Sequence, residues 1–335
     1  MLKPVVDRYG TRCVKDSFTF SDKIKEAALS RDGHMCSFDI VSLFTNVPLH
    51  EVIDICAELL YHNQTNESPP PSISEKSFRE LMEKVTLGVE FLFNGTMYRQ
   101  IDGVAMGSPL GPVLANIFVG YYKTKIPSGM WPEVYDRYVD DIFSHFVNEK
   151  ACDEFFDVLN GLHPVLKFTC EHEEDRSLPF MDVRGTRETP GDVNTSIYRK
   201  PTFTGWYTTW DSFSPTRYKI NLVKCLVHRM RRICSPRNVD LELEKLRNIL
   251  RKNGYPENVL EKLVTKQPPS RDPFIGPSRC PVFIRLPWLG STPAGLLEGK
   301  IKKVVHVAYF AAKVQFIYST ARAFRLPKDR LHTPL

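Results

Sequence analysis

Asp140 and Asp141 stand side by side inside an apolar run, Arg137-Tyr138-Val139-Asp140-Asp141-Ile142-Phe143. Neighbouring side chains on a strand point to opposite faces, so two adjacent acids converge only where the chain turns. Asp-Asp tolerates the dihedral angles of a turn. The run therefore reads as a short β-hairpin with both acids at its tip. Carboxylates held that close repel unless a cation lies between them. Oxygen-only ligands suit hard Mg²⁺, which needs few protein carboxylates and keeps positions for water and phosphate. The plain alternative is a solvated Asp-Asp turn, and a motif this short leaves both open.

A third acid lies far upstream. Met35 to Phe38 reads as a buried strand that delivers Asp39 at its end. Pro48 then opens a helix to about Tyr61, with Leu49, Val52, Ile53 and Cys56 on one face. Considered alone, Asp39 is equally well a structural acid. Between these acids runs Gly103-Val104-Ala105-Met106-Gly107-Ser108-Pro109-Leu110-Gly111-Pro112. Small residues let a backbone approach a ligand closely. Ser108 is placed to cap, and Pro109 to enter the first turn of, a helix over 109–123. Such a loop binds phosphate or sugar, or serves only as a joint. It is not a P-loop, because no Gly-Lys-Ser/Thr follows.

The elements that must position these residues follow from pattern. Ser21 is a plausible N-cap for a short helix to Leu29. Residues 62–74 form a polar, proline-rich loop, and a helix covers 75–87. Asn94-Gly95 turns a hairpin. An amphipathic helix spans 148–162, followed by strands at 166–171 and 178–183 and short strands at 196–201 and 202–207. From Thr216 the pattern becomes helical and basic. A second helix covers 241–253, ending at Gly254, and a third runs from 257 to about 266. A proline-rich linker at 267–281, a strand at 283–289 and a basic helix over 296–323 complete the chain. This order describes an α+β fold, an antiparallel sheet with helices on one face followed by a helical region.

The 335 residues are 42% hydrophobic and 25% charged, an ordinary globular balance with room for two or three domains. No charge-free stretch is long enough to span a bilayer, and no apolar run follows the first lysine as in a signal peptide. The eight cysteines form no CxxC pair and read as free thiols in a reducing, intracellular compartment. Charge is unevenly spread. Residues 1–198 hold 19 Lys+Arg against 30 Asp+Glu, net −11, and residues 199–335 hold 26 against 9, net +17. An acidic half that could hold cations thus precedes a basic half suited to a polyanion. A generic basic helical domain would show the second feature too.

Taken together, an acid after a strand, a Gly-Ser-Pro loop into a helix, and a paired-acid hairpin form a constellation. If Asp39 and Asp140 fold together, they could bridge two Mg²⁺ ions about 3.5–4 Å apart, the arrangement that activates a hydroxyl for in-line phosphoryl transfer. In this order the stretches resemble the reverse transcriptase of Penelope-like retroelements. The matching segments are Ser37-Phe38-Asp39-Ile40-Val41-Ser42-Leu43-Phe44-Thr45-Asn46-Val47-Pro48, Ala105-Met106-Gly107-Ser108-Pro109-Leu110 with Ala115 and Asn116, and Tyr138-Val139-Asp140-Asp141. Leu178-Pro179-Phe180-Met181-Asp182, Tyr198-Arg199-Lys200-Pro201-Thr202 and Asn253-Gly254-Tyr255-Pro256 are similar to later segments of that group.

The resemblance implies an RNA-directed DNA polymerase core that adds dNTPs to a primer 3′-hydroxyl. Its cofactor would be two Mg²⁺, with Mn²⁺ as a substitute. Asp39, Asp140 and Asp141 would be catalytic and, with the Ile40 carbonyl, metal-binding. Phe44 would exclude a 2′-hydroxyl, and Gly107 and Ser108 would shape the nucleotide pocket. Thr202, Phe203, Gly205 and Trp206 would resemble a primer grip. Lys224, Arg229, Arg231 and Arg232 would hold duplex phosphates, and Lys167 is a candidate proton donor. Partners would be an RNA template, a DNA primer, their hybrid and dNTPs, with no membrane, and the nucleus is the compartment a retroelement enzyme implies. The resemblance divides the chain into a fingers/palm junction remnant (1–30), a polymerase palm (31–212), a helical basic thumb (213–266), and a C-terminal linker and basic helix (267–335). The upstream fingers and the GIY-YIG nuclease of the family are expected to be absent, so activity would be impaired by truncation. A catalytically inactive nucleic-acid-binding relic is the alternative. An RNA-dependent RNA polymerase is a third reading, which Phe44 argues against.

Overall fold

A computed structural model of the chain describes residues 2–9, 12–27, 29–30, 32–62, 71–188, 192–265, 281–309 and 313–319. Residues 63–70 of the expected loop at 62–74, residues 267–280 of the expected linker, and residues 310–312 and 320–323 of the expected last helix lie outside the described residues. The chain divides into two compact units, residues 1–199 with 233–235, and residues 200–232 with 236–335.

The first unit runs α1 (Lys3–Tyr9), α2 (Ser17–Glu26), β1 (His34–Ile40), α3 (Leu43–Asn46), α4 (Leu49–Ala57), α5 (Glu75–Thr86), β2 (Glu90–Phe93), β3 (Thr96–Arg99), α6 (Gly111–Lys123), β4 (Val134–Tyr138), β5 (Asp141–Phe146), α7 (Glu149–Gly161), β6 (Phe168–His172), β7 (Ser177–Phe180), β8 (Val183–Arg187) and β9 (Val193–Ile197). A wide-turn π segment, Glu58–His62, extends α4. The central sheet has the order β4-β5-β1-β6, and its pairs are antiparallel. The β2–β3 hairpin turns at Asn94 and Gly95, with φ of +47° and +79°, the left-handed pair that Asn-Gly accepts most readily.

Alternation along the strands gives the central sheet two buried faces. Cys36, Phe38 and Ile40 of β1 join Ile142 and Phe146 of β5 in one core, with Leu114, Ile117 and Phe118 of α6 and Cys152 and Phe155 of α7. Met35 and Phe143 point the other way. They pack with Phe20 and Ile24 of α2 and with Phe180, Val183 and Val193 of the separate β7-β8-β9 sheet. Ser21 does not cap α2. Asp16 does, its carboxylate accepting the Thr19 N–H at 2.7 Å. Ser21 lies inside the helix, buried, and donates to the Ile233 carbonyl at 2.9 Å.

The second unit holds α8 (Thr216–Ile233, whose last residue counts with the first unit), α9 (Pro236–Lys252), α10 (Glu257–Thr265), β10 (Pro281–Pro287), α11 (Ser291–Ala308) and β11 (Lys313–Ser319). Val223 and Val227 of α8 close a small core with Leu246 and Leu250 of α9, Tyr255, and Leu260 of α10. Residues 202–207 are not a strand. Gly205 sits at φ +78°, and the Asn253 side chain takes the backbone groups a strand partner would have used: Nδ2 donates to the Gly205 carbonyl at 2.8 Å, and Oδ1 accepts the Tyr207 N–H at 2.9 Å. The expected helix over 296–323 stops at Ala308. β11 replaces its end because Phe316 and Tyr318 alternate with exposed Gln315 and Ile317, the two-residue period of a strand. It pairs in parallel with β10.

Candidate active site

The site starts at the end of β1. Asp39 stands directly opposite Asp141 of β5 on one side and Thr169 of β6 on the other. Residues directly opposite each other in antiparallel strands share a face. Asp39, Asp141 and Thr169 therefore lie on the face that also carries Met35 and Phe143. Asp39 is exposed, while Asp140 and Asp141 are half-buried.

The β4–β5 turn brings in the third acid. Tyr138 and Asp141 are paired, so Val139 and Asp140 alone form the tip. Sequence reasoning put both acids at the tip; the register instead makes Asp141 the first residue of β5. Val139 sits at φ +54°, at a turn position that ordinarily takes glycine. Arg137, 1% exposed, donates from Nη1 to the Val139 carbonyl at 2.7 Å. The Asp140 carbonyl accepts the Ile40 N–H at 3.1 Å. The tip is thereby tied to the residue after Asp39.

Asp39 and Asp140 also interact through charge. The Asp39 pKa is raised, first because the protein removes part of the water around its carboxyl, then because the Asp140 carboxylate repels its charge. A bound cation would relieve that repulsion. Carboxylate oxygens are the donors hard divalent ions take, so the residues fit Mg²⁺. The fit is a pair rather than a trio. Among the described residues, Asp39, Asp140 and Asp141 do not form a group of three whose donor atoms all lie within 4.8 Å of one another.

The glycine loop lies against the turn that follows Asp39. Ser42 adopts left-handed angles, φ 51° and ψ 41°, and starts α3, which carries Phe44. The Phe44 carbonyl accepts the Val104 N–H at 2.7 Å. Gly103, at φ +74°, is pressed onto Thr45 so closely that a Cβ there would lie 2.5 Å from the Thr45 carbonyl oxygen. The half-buried Phe44 ring faces Gly111, where an added Cβ would meet it at 3.9 Å. Gly107 is exposed at φ +91° with open space around it. The helix begins at Gly111, with Pro112 in its first turn, rather than at Pro109. Ser108 lies in the preceding turn, where its carbonyl accepts the Gly111 N–H and its Oγ the Leu110 N–H, at 3.1 and 3.3 Å. Lys167 is exposed, and its carbonyl accepts the Val41 N–H at 2.8 Å.

The remaining predicted residues belong to the second unit. Thr202, Phe203 and Trp206 are exposed on the loop that Asn253 pins, Trp206 at 67%. On α8, Lys224 and Arg232 are exposed and Arg229 and Arg231 half-buried, while Val223, Val227 and Met230 face inward. Sequence reasoning missed two residues. Arg137 was visible only as a base inside an apolar strand, and Asn253 only as part of a short motif.

The first unit's sheet and helices and the second unit's helices match solved polymerase structures. Telomerase from Candida albicans, in complex with a TWJ fragment of telomeric RNA, is similar at a TM-score of 0.50 and 12% identity, over 78% of this chain and 48% of that one. The fold is that of a polymerase palm with a helical region after it. Apo telomerase from Candida tropicalis matches at 0.48 and 13% identity, over 78% and 48% of the two chains. The Sicinivirus 3Dpol RNA-dependent RNA polymerase matches at 0.41 and 14%, over 73% and 53%. The chain thus spans about half the length of these structures. Residues 206–265, which contain α8 to α10, match the family model of the animal helix-turn-helix domain. No curated protein matches the sequence. Among the described residues, no helix is long and apolar enough to cross a membrane.

Proposed function

We propose that the chain is the core of an RNA-directed DNA polymerase of the Penelope-like retroelement type. The observation that carries this reading is the meeting of Asp39 and Asp140, which come from distant parts of the sequence to adjacent positions at one end of an antiparallel sheet. The polymerase fold supports it.

Asp39 and Asp140 would hold divalent ions, with Asp141 beside them. Bound there, such ions acidify an attacking 3′-hydroxyl and neutralise triphosphate charge. The protein's own residues do the positioning. Arg137 and the Ile40 amide fix the tip that carries Asp140. Phe44, packed between the core and Gly111, would sense the sugar and favour dNTPs. The open backbone at Gly107, with Ser108 next to it, would let a nucleotide approach closely. In the second unit, the exposed loop at Thr202, Phe203, Gly205 and Trp206 would contact primer. Lys224, Arg229, Arg231 and Arg232 would meet phosphates of an RNA–DNA hybrid, a salt-sensitive and sequence-tolerant contact. In this scheme residues 31–212 serve as palm and 213–266 as thumb.

One observation favours a second reading, a chain that binds nucleic acid without synthesis: the three acids do not close into a trio. Primer extension on an RNA template with Mg²⁺ or Mn²⁺ decides between them. Incorporation of dNTPs that vanishes in Asp140→Asn supports the polymerase. Hybrid binding with no incorporation supports the second reading, and equal use of rNTPs and dNTPs would point to RNA synthesis.

A further inference from the structure

Behind the sheet, on the face opposite Asp39, three cysteine sulfurs from three elements gather with a histidine beside them, although the four donor atoms do not all lie within 4.8 Å of one another. Cys36 belongs to β1, Cys152 to α7, and Cys170 and His172 to β6. Cys36 and His172 are directly opposite on paired strands, and Cys170 and His172 are two apart on one strand, so all three share a face. Cys152 reaches them from the helix above. The Cys152 sulfur lies 2.8 Å from that of Cys36 and 3.9 Å from that of Cys170. Cys170 Sγ is 3.5 Å from His172 Nε2. The three sulfurs lie within 4.8 Å of one another.

We propose that Cys36, Cys152, Cys170 and His172 form a structural Zn²⁺ site. A tetrahedral centre with Zn–S bonds of about 2.3 Å and a Zn–N bond of about 2.0–2.1 Å sets its sulfurs roughly 3.8 Å apart and each sulfur roughly 3.5 Å from the nitrogen. The Cys152–Cys170 and Cys170–His172 separations match these values. Cys36 and Cys152 must part by about 1 Å to reach them, and they stand well beyond the ~2.05 Å of a disulfide. Three sulfurs and one imidazole are a donor set that structural zinc takes. On binding, each thiol releases its proton to solvent.

The imidazole is oriented from behind. His172 Nδ1 is 2.9 Å from His34 Nε2, whose other nitrogen lies 3.7 Å from the Glu173 carboxylate. Metal-binding histidines are held by such a partner on the second ring nitrogen. The Asp153 carboxylate, 3.6 Å from His172 Nε2, is the competing contact. Cys36 and Cys152 are fully buried, so the centre would be shielded from solvent on that side. It would clamp β1, β6 and α7 together beneath the strand that delivers Asp39.

The test uses the full chain purified under reducing conditions. One zinc per chain should persist through dialysis. Removing it with a chelator should lower the melting temperature, and adding Zn²⁺ alone should restore it. Co²⁺ in its place should give thiolate-to-cobalt charge-transfer absorption with tetrahedral visible bands. That signature cannot arise at the carboxylates and should survive Asp140→Asn. Cys170→Ser should abolish the absorption, His172→Gln should weaken metal affinity at least tenfold, and Cys225→Ser, on the exposed side of α8, should change nothing. If Cys170→Ser fails to fold, the wild-type chain still decides: with zinc bound, the half-buried Cys170 thiol should react with a thiol reagent more slowly than after chelation. No retained zinc, no change in melting and equal thiol reactivity would overturn the proposal. So would a Cys36–Cys152 disulfide under these conditions.

Discussion

Arg137 holds Val139. The guanidinium donates from Nη1 to the Val139 carbonyl at 2.7 Å from a position 1% exposed to solvent, and its Nε has no hydrogen-bond partner. A buried cation is expensive to keep, and here it fixes the turn that carries Asp140. Truncating it leaves the carbonyl without this donor and a cavity in the core. Arg137→Ala should lower the unfolding free energy by about 3 kcal/mol. Chemical denaturation measures it, and a loss below ~1 kcal/mol would mean that the turn holds itself.

Val139 is β-branched at φ +54°. Such a conformation stores about 1–3 kcal/mol, and glycine removes it at the expense of about 0.5–1 kcal/mol of chain entropy. Val139→Gly should therefore stabilise the fold by roughly 1 kcal/mol. The denaturation midpoint should rise with an unchanged slope. A fall would show that the Val139 side chain packs more tightly than the strain it brings.

Asp39 is disfavoured as an anion by its surroundings. Its folded pKa is raised, by lost hydration first and by Asp140 second. An acid shifted upward contributes stability below its ordinary pKa and loses it as the pH rises through the raised value. At neutral pH the ionised group therefore opposes folding. Asp39→Asn should melt slightly higher than wild type in chelator, by less than ~1 kcal/mol because the group is exposed. Mg²⁺ should raise the melting temperature of the wild type and not of Asp39→Asn. An equal Mg²⁺ response in both would remove Asp39 from the proposed metal site.

His145 is buried, and burial lowers its pKa below the usual 6.5, with Glu133, 2.9 Å from Nδ1, and Glu173 pulling it up and Arg187 pushing it down. The unfolded chain then binds a proton that the folded chain refuses. Stability is unaffected by this group above its ordinary pKa. It falls as the pH drops from there to the lowered value, by at most about 1.4 kcal/mol per pH unit. His145→Gln should flatten that part of the curve in urea unfolding between pH 7 and 5. An unchanged slope would assign acid sensitivity elsewhere.

Asn253 is 2% exposed and joins α9 to the loop before α8 through hydrogen bonds to the Gly205 and Ile249 carbonyls and from the Tyr207 amide. Asn253→Ala should cost about 2–3 kcal/mol and speed hydrogen exchange of the Tyr207 amide. Protection equal to wild type would show that the loop is held by Tyr255, whose hydroxyl donates to the Thr208 carbonyl.

What the sequence determined by itself is local. Asn94-Gly95 turned a hairpin, a helix formed from about Asn148 as α7, and Gly254 ended α9, because each depends on a few adjacent dihedral angles and local hydrogen bonds. The order of strands and helices likewise pointed to an α+β fold, and the acids and glycines carried the resemblance that implied a palm. Tertiary structure decided the rest. Only strand register places Asp141 opposite Asp39 and leaves Asp140 at the tip. Only a distant carbonyl explains why Ser21 is buried rather than capping, and only the Asn253 side chain explains why 202–207 is no strand. The Cys36, Cys152, Cys170 and His172 cluster left no sequence pattern, because its members sit on three elements that meet only when β1, β6 and α7 pack. Contacts between remote residues are set by which faces are buried together, and a chain read one window at a time does not contain that information.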